Sequence, residues 1–105
     1  MGPFPERDWK YLRSIEAELL EALSRRNNDE LRKLLAEEGK SENEKRRAVF
    51  PLLRELDRVV ADCFDDWRRS TIAEKCLMLV HHGLLVPEQM AKLSPEAQAW
   101  IKDVR

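Results

Sequence analysis

The stretch LSRRNNDELRKLL, residues 23–35, decides how the N-terminal third of this chain folds. Apolar residues recur at helical spacing on both sides of its two adjacent asparagines. Asn27 lies seven residues after Leu20 and four before Leu31, so it occupies a position of the apolar stripe itself. The question is whether the doublet separates two helices or lies inside one.

Two interpretations of the doublet compete. Asn27 and Glu30 have the spacing of a capping box, which would begin a new helix. Against a break, neither Gly nor Pro ends the first half, and the stripe keeps its phase across the junction, which a loop would normally destroy. The sequence therefore predicts one helix from about Asp8 to Glu37. Such a helix rises about 45 Å, whereas a compact domain of this length is only about 33 Å across.

A second long helix follows a short connection. Gly39 closes the first helix, and Ser41 with Glu44 forms a capping box before a new apolar stripe. Pro51 removes a backbone donor from this stripe, which predicts a kink or a restart there. Two long helices joined by a short loop predict an antiparallel helical hairpin.

The sequence of the last third of the chain predicts shorter helices. Thr71 and Glu74 have capping-box spacing, and Gly83 is placed to end the helix that they begin. Pro87 and Pro95 are each placed as the first residue of a helix. The expected fold is all-α: a long antiparallel helical hairpin capped by two or three short helices. It forms a single helical domain, 1–105, whose residues 1–6 are disordered or extended.

The amino-acid composition is typical of a helical protein and argues against nucleic-acid and membrane partners. Charged residues make up 37% of the 105 residues and there are only three glycines, which is typical of long helices. The formal net charge of -1 provides no positive field for nucleic acid or anionic lipid. The longest uncharged run, 76–87, is too short to span a bilayer, and there is no secretory hydrophobic segment. We expect a cytoplasmic protein with no membrane contact.

Cysteine and histidine are the residues that would bind metal or catalyse a reaction. Cys63 and Cys76 lie on apolar stripes, which is typical of buried thiols. His81 and His82 point about 100° apart on a helix and form no metal-binding pair with the cysteines. Both histidines suit the last turn of a helix, where the carbonyls are exposed. The sequence predicts no metal, no cofactor and no enzyme activity.

Three arginine doublets support an alternative function. Residues 25–26, 46–47 and 68–69 could together follow a phosphate backbone, as in a small nucleic-acid-binding regulator. Each doublet has acidic neighbours, and the adjacent aromatic Trp67 belongs to the apolar stripe. Nucleic-acid binding is therefore the weaker hypothesis.

The apolar stripes themselves support the leading hypothesis. The short helices provide too little chain to cover both long helices, so self-association or binding of a helical protein is expected. Asn27 would then pair with its symmetry mate or with a facing polar group and fix the register. We predict a non-enzymatic protein-protein interaction or oligomerisation domain that forms a homodimeric helical bundle, with an interface made of Leu12, Leu19, Leu23, Asn27, Leu53, Leu56, Val60 and Trp67.

Two segments carry a resemblance. FPERDWKYLR is similar to the start of small, uncharacterised bacterial all-helical proteins that open with an F-x-E-x-D-W-K motif, and RRSTIAEKCLMLVHHGLL resembles their later turn and helix. The likeness covers about a third of the chain. It implies a bacterial cytosolic helical protein with no assigned activity and no site residues. The asparagine doublet and KRRAVFPLLREL depart from that pattern, which leaves open an engineered version of such a scaffold.

Overall fold

A computed structural model describes residues 4–104, and this part of the chain contains helices and no strand. The all-α fold class is thereby confirmed. The elements in chain order are α1 (Glu6–Leu35), α2 (Glu42–Phe64), α3 (Ile72–His81), the single turn α4 (Pro87–Met90) and α5 (Pro95–Val104).

Helix α1 runs without interruption through the asparagine doublet, which confirms the prediction of a single helix. The acidic residues that suggested a new N-terminus pair within the helix instead. Asp29 binds Arg32 at 2.7 Å and Glu30 binds Lys33 at 3.4 Å. These exposed pairs lie one turn apart on the continuous helix and contribute little stability.

Helix α2 begins as predicted, with the Ser41 hydroxyl accepting a hydrogen bond from the Glu44 N–H at 3.1 Å. It then continues through Pro51, so the predicted restart is wrong. Pro51 removes the N–H that would bind the Arg47 carbonyl, one turn earlier. Both residues are exposed, so water can solvate that carbonyl and the helix continues.

The turn before α3 departs from the prediction. Thr71 does not cap α3 with its side chain, so the predicted capping box is wrong. Its hydroxyl instead accepts a hydrogen bond from the Arg68 N–H at 3.2 Å and donates to the Asp66 carbonyl. Asp66 has a positive φ of 60°, and these contacts hold the tight turn. Gly83, with φ 70°, follows the end of α3 as predicted.

The buried core lies at one end of the molecule. Its side chains come from α1 up to Leu23, from the end of α2 at Cys63, and from residues 72–101. No residue between Ser24 and Asp62 is buried. We call residues 24–62 the arm, and residues 4–23 together with 63–104 the base. Helices α1 and α2 contact one another, and α3 contacts α2 at the edge of the arm, where Lys75 Nζ donates to the Asp62 carbonyl at 3.1 Å.

The start of the chain is anchored in the base. Of the predicted extended or disordered segment 1–6, residues 1–3 lie outside the described residues. Phe4 is buried, and its ring meets Trp100 of α5 edge to face at 5.7 Å. Pro5 precedes the helix and Glu6 is its first residue. Phe4 therefore joins the two ends of the described chain in one core.

A buried polar contact fixes α5 on α1. Asp8 is fully buried in the first turn of α1. Its carboxylate accepts the Ser94 N–H at 2.7 Å and the Ser94 hydroxyl at 2.5 Å. The Ser94 oxygen in turn accepts the Ala97 N–H at 3.1 Å, which caps α5. Asp8 is thus satisfied by one residue that also begins the last helix.

Candidate interaction surface

Three of the eight predicted interface residues are buried in the core of the base. Leu12, Leu19 and Leu23 are each at most 1% exposed and pack in the core of their own chain. They provide no surface to a partner. An apolar stripe has the same sequence pattern whether its own chain or a partner covers it. The sequence therefore did not show which part of α1 is buried in the base.

The other predicted residues remain accessible to different degrees. Leu53 is 40% exposed on α2. Half-buried side chains occur at Asn27, Leu56, Val60 and Trp67. Leu53 is therefore the most exposed member of the predicted set.

The structure adds exposed apolar residues that the prediction did not include. Phe50 is 72% exposed and Leu35 is 52% exposed, both in the arm, and Leu20 is 39% exposed where α1 leaves the base. Phe50 precedes Pro51, where the sequence predicted a kink or a restart, and was not in the predicted interface. Large apolar side chains exposed together on two packed helices are typical of an interface.

A groove near the tip of the arm joins the two helices. Leu35 from α1 and Val49 and Phe50 from α2 line it, and charged residues flank it, namely Glu42, Lys45 and Arg46. Its volume is about 600 Å³. Apolar and charged side chains together line this groove, and protein-protein contacts also combine the two.

Asn27 lies on the apolar stripe of α1, in the part of the helix that belongs to the arm. Its side chain is half-buried. The neighbouring Asn28 is exposed. One amide of the doublet therefore belongs to the stripe, and the other faces water.

The two thiols are buried and protonated. Loss of hydration raises the pKa of Cys63 from 9.0 to about 11, with a further contribution from the Asp62 carboxylate. Loss of hydration also raises the pKa of Cys76 to about 12, and the Asp8 carboxylate adds to it. A thiol that stays protonated at neutral pH is a poor nucleophile, since the thiolate is the reactive form. Both act as small apolar side chains.

These raised pKa values predict that the folded state loses stability in alkali. Between pH 9 and about 11 the unfolded chain releases thiol protons that the folded chain retains, so the free energy of unfolding falls as pH rises. The loss approaches about 1.4 kcal/mol per pKa unit for each thiol. Urea titrations from pH 8 to pH 11 should show this slope, and Cys76→Ala should reduce it. An unchanged slope in Cys76→Ala would contradict the assignment.

The histidines and cysteines form no metal centre in the described part of the chain. Among residues 4–104, no group of three or more His, Cys, Asp or Glu side chains is arranged to hold a metal ion. The rings of His81 and His82 meet edge to face at 4.9 Å. His82 Nε2 lies 3.8 Å from Asp62 Oδ2, too far for a hydrogen bond.

The arginine doublets are divided between the arm, with residues 25–26 and 46–47, and the base, with residues 68–69. Four of the six guanidinium groups bind partners in their own chain: Arg26 the His82 carbonyl at 2.7 Å, Arg46 the Asn43 amide oxygen at 3.0 Å, Arg68 Asp66 at 2.6 Å and Arg69 Glu6 at 2.9 Å. This arrangement does not strengthen the nucleic-acid hypothesis.

Comparison with known proteins found no matching family model, no matching curated protein and no matching solved structure. The resemblance suggested by the F-x-E-x-D-W-K motif therefore stays a prediction. None of the described helices is long and apolar enough to cross a bilayer.

Proposed function

We propose that this chain is a non-enzymatic oligomerisation domain, in which the arm packs against the arm of a second copy to form a dimeric helical bundle. The observation that carries the proposal is the contrast between the two parts of the molecule. The base has its own core, whereas the arm exposes Leu35, Phe50 and Leu53 and contains no buried residue. A second pair of helices would bury these exposed apolar side chains.

An antiparallel hairpin of α1 and α2 is part of this proposal. Leu35, the last residue of α1, shares a groove with Val49 near the start of α2. Arg26, about two and a half turns earlier in α1, lies close enough to Cys63 near the end of α2 to affect its pKa. These two contacts support opposite helix directions.

The dimensions of the molecule support a partner of about the same size. The chain extends 52 × 24 × 24 Å with a radius of gyration of 16.7 Å, compared with about 13 Å for a compact domain of this length. Its accessible surface is 7073 Å², whereas a compact monomer of this mass exposes about 6,100 Å². The excess of roughly 900 Å² is close to the area of about 800 Å² that each partner contributes to a stable interface.

The charge of the arm is compatible with self-association. Residues 24–62 carry ten basic and nine acidic side chains, so two arms can approach with little net repulsion. A strongly charged arm would instead have indicated a partner of opposite charge. The near balance favours a second copy.

Sedimentation velocity over a wide concentration range, at low and at high salt, tests the proposal. We expect reversible association to about twice the 12.4 kDa chain mass, with little dependence on salt because the contact is apolar. The nucleic-acid alternative predicts binding to a DNA or RNA duplex that weakens steeply with salt. A 12.4 kDa species at every concentration up to hundreds of micromolar would overturn the proposal.

A further inference from the structure

One side of α2 carries four exposed side chains at helical spacing. They are Arg46, Phe50, Leu53 and Asp57, and we call them the α2 face. Successive residues of a helix are about 100° apart, so these four lie within an arc of about 60°. Phe50 is 72% exposed and Leu53 is 40% exposed. The most exposed apolar residues of α2 therefore lie between a basic and an acidic side chain on one side of the helix.

The α2 face is distinct from the side by which α2 packs within its own chain. Buried Cys63 and half-buried Leu52 and Leu56 mark that packed side. Its centre lies about 110° around the helix from the centre of the α2 face. Phe50 also lines the groove that contains exposed Leu35 of α1. A partner can therefore reach the α2 face and border α1 without separating the two helices.

The order of residues along the α2 face is complementary to its own reverse. A basic residue, two apolar residues and an acidic residue follow one another at intervals of four, three and four positions, and these intervals read the same in both directions. If a second copy of α2 lies beside the first in the opposite direction, Arg46 is level with Asp57 of the other copy. Phe50 is then level with Leu53 of the other copy. Each contact occurs twice in the pair.

We propose that the α2 helices of two copies pack antiparallel through the α2 face, about a two-fold axis level with residues 51–52. This inference rests on the proposed function and specifies its geometry. The centre of the contact is apolar, and a pair of opposite charges lies at each end. Exposed ion pairs contribute little affinity, but they set the direction of pairing. In a parallel pair Arg46 would lie beside Arg46 and Asp57 beside Asp57, which is repulsive.

The position of this axis along the arm supports the pairing. Helix α2 begins at residue 42 and the arm ends at residue 62, so the axis lies at the middle of the α2 segment in the arm. An antiparallel pair about this point overlaps the two arms along their whole length, which is about 30 Å. The tip of each arm then reaches the base of the other copy. An axis nearer either end would leave part of each arm uncovered.

A matched set of charge substitutions tests the proposed contacts. Arg46→Glu places two acidic side chains level with each other at both ends of the pair, so the dimer dissociation constant should rise about tenfold. Arg47→Glu makes the same change of charge about 100° around the helix and should change the constant by less than about threefold. Combining Arg46→Glu with Asp57→Arg exchanges the two charges and should restore the parent affinity. Equal effects of Arg46→Glu and Arg47→Glu, measured by sedimentation equilibrium, would contradict the pairing.

Cross-linking tests the direction of the helices. Because the native thiols are buried and protonated, a thiol-reactive reagent modifies an exposed introduced cysteine first. Chains with Arg46→Cys are mixed with chains with Asp57→Cys and treated with a short bismaleimide. Positions 46 and 57 of different copies are level in the proposed pair, whereas two positions 46 are about 16 Å apart along the helix axis.

We expect the cross-linked dimer to join position 46 of one chain to position 57 of the other, as identified by mass spectrometry of its peptides. Products that join 46 to 46 and 57 to 57 would indicate parallel helices and overturn this inference while leaving the proposed dimer intact. The absence of any cross-linked dimer would overturn both proposals.

Discussion

Leu53→Glu is expected to weaken self-association by about a hundredfold or more, which is equivalent to about 2.7 kcal/mol. Leu53 is the exposed leucine on α2 in the arm. In the proposed bundle a glutamate there would lose its hydration without gaining a partner, and burying an unpaired charge is strongly unfavourable. Sedimentation equilibrium of the variant should show a monomer at concentrations where the parent chain is a dimer.

Val86→Glu is the matched control for this substitution. Val86 is also 40% exposed, but it belongs to the base, between α3 and α4. The same apolar-to-charged change there should leave association unchanged, and circular dichroism should show both variants folded. If Leu53→Glu and the parent chain dimerise with equal affinity, the arm does not form the dimer interface.

Asp8→Ala is expected to reduce the free energy of unfolding by about 3 kcal/mol. The change removes two hydrogen bonds to a buried carboxylate and leaves the buried Ser94 groups without their partner. The start of α5 would then be released from α1, and Phe4 packs on α5 through Trp100. For a domain of this length the melting temperature should fall by more than about 10 °C.

Two further variants separate this contact from a general charge effect. Asp8→Asn keeps one acceptor oxygen and should lose less stability than Asp8→Ala. Asp103→Ala removes an exposed carboxylate from α5 and should change stability by less than about 0.5 kcal/mol. Urea unfolding in which Asp8→Ala and Asp103→Ala behave alike would show that the buried contact is not important for stability.

The structural features that depend on residues close by in the sequence were predictable. The unbroken course of α1 followed from the phase of its apolar stripe, and the capping of α2 by Ser41 followed from local spacing. The predicted restart at Pro51 is wrong because the penalty for a proline depends on whether the freed carbonyl reaches water, as it does here. Thr71 failed for a related reason, since its hydroxyl had closer backbone partners in the preceding turn.

The features that depend on tertiary structure were not predictable. Asp8 looked like an ordinary acidic residue in the first turn of a helix, and its partner Ser94 is 86 residues away. The stripe of α1 was recognised, but where the base ends along it depends on how residues 72–101 fold back. That boundary is what separates buried Leu23 from accessible Asn27, and it moved the proposed interface toward the arm.

Small-angle X-ray scattering of the unmodified chain over a concentration series tests most directly whether a second copy covers the arm. Forward scattering should rise from the mass of one 12.4 kDa chain to that of two, with a radius of gyration that grows beyond 16.7 Å as the dimer forms. A constant mass of 12.4 kDa with a radius of gyration near 16.7 Å throughout the series would contradict the proposed dimer.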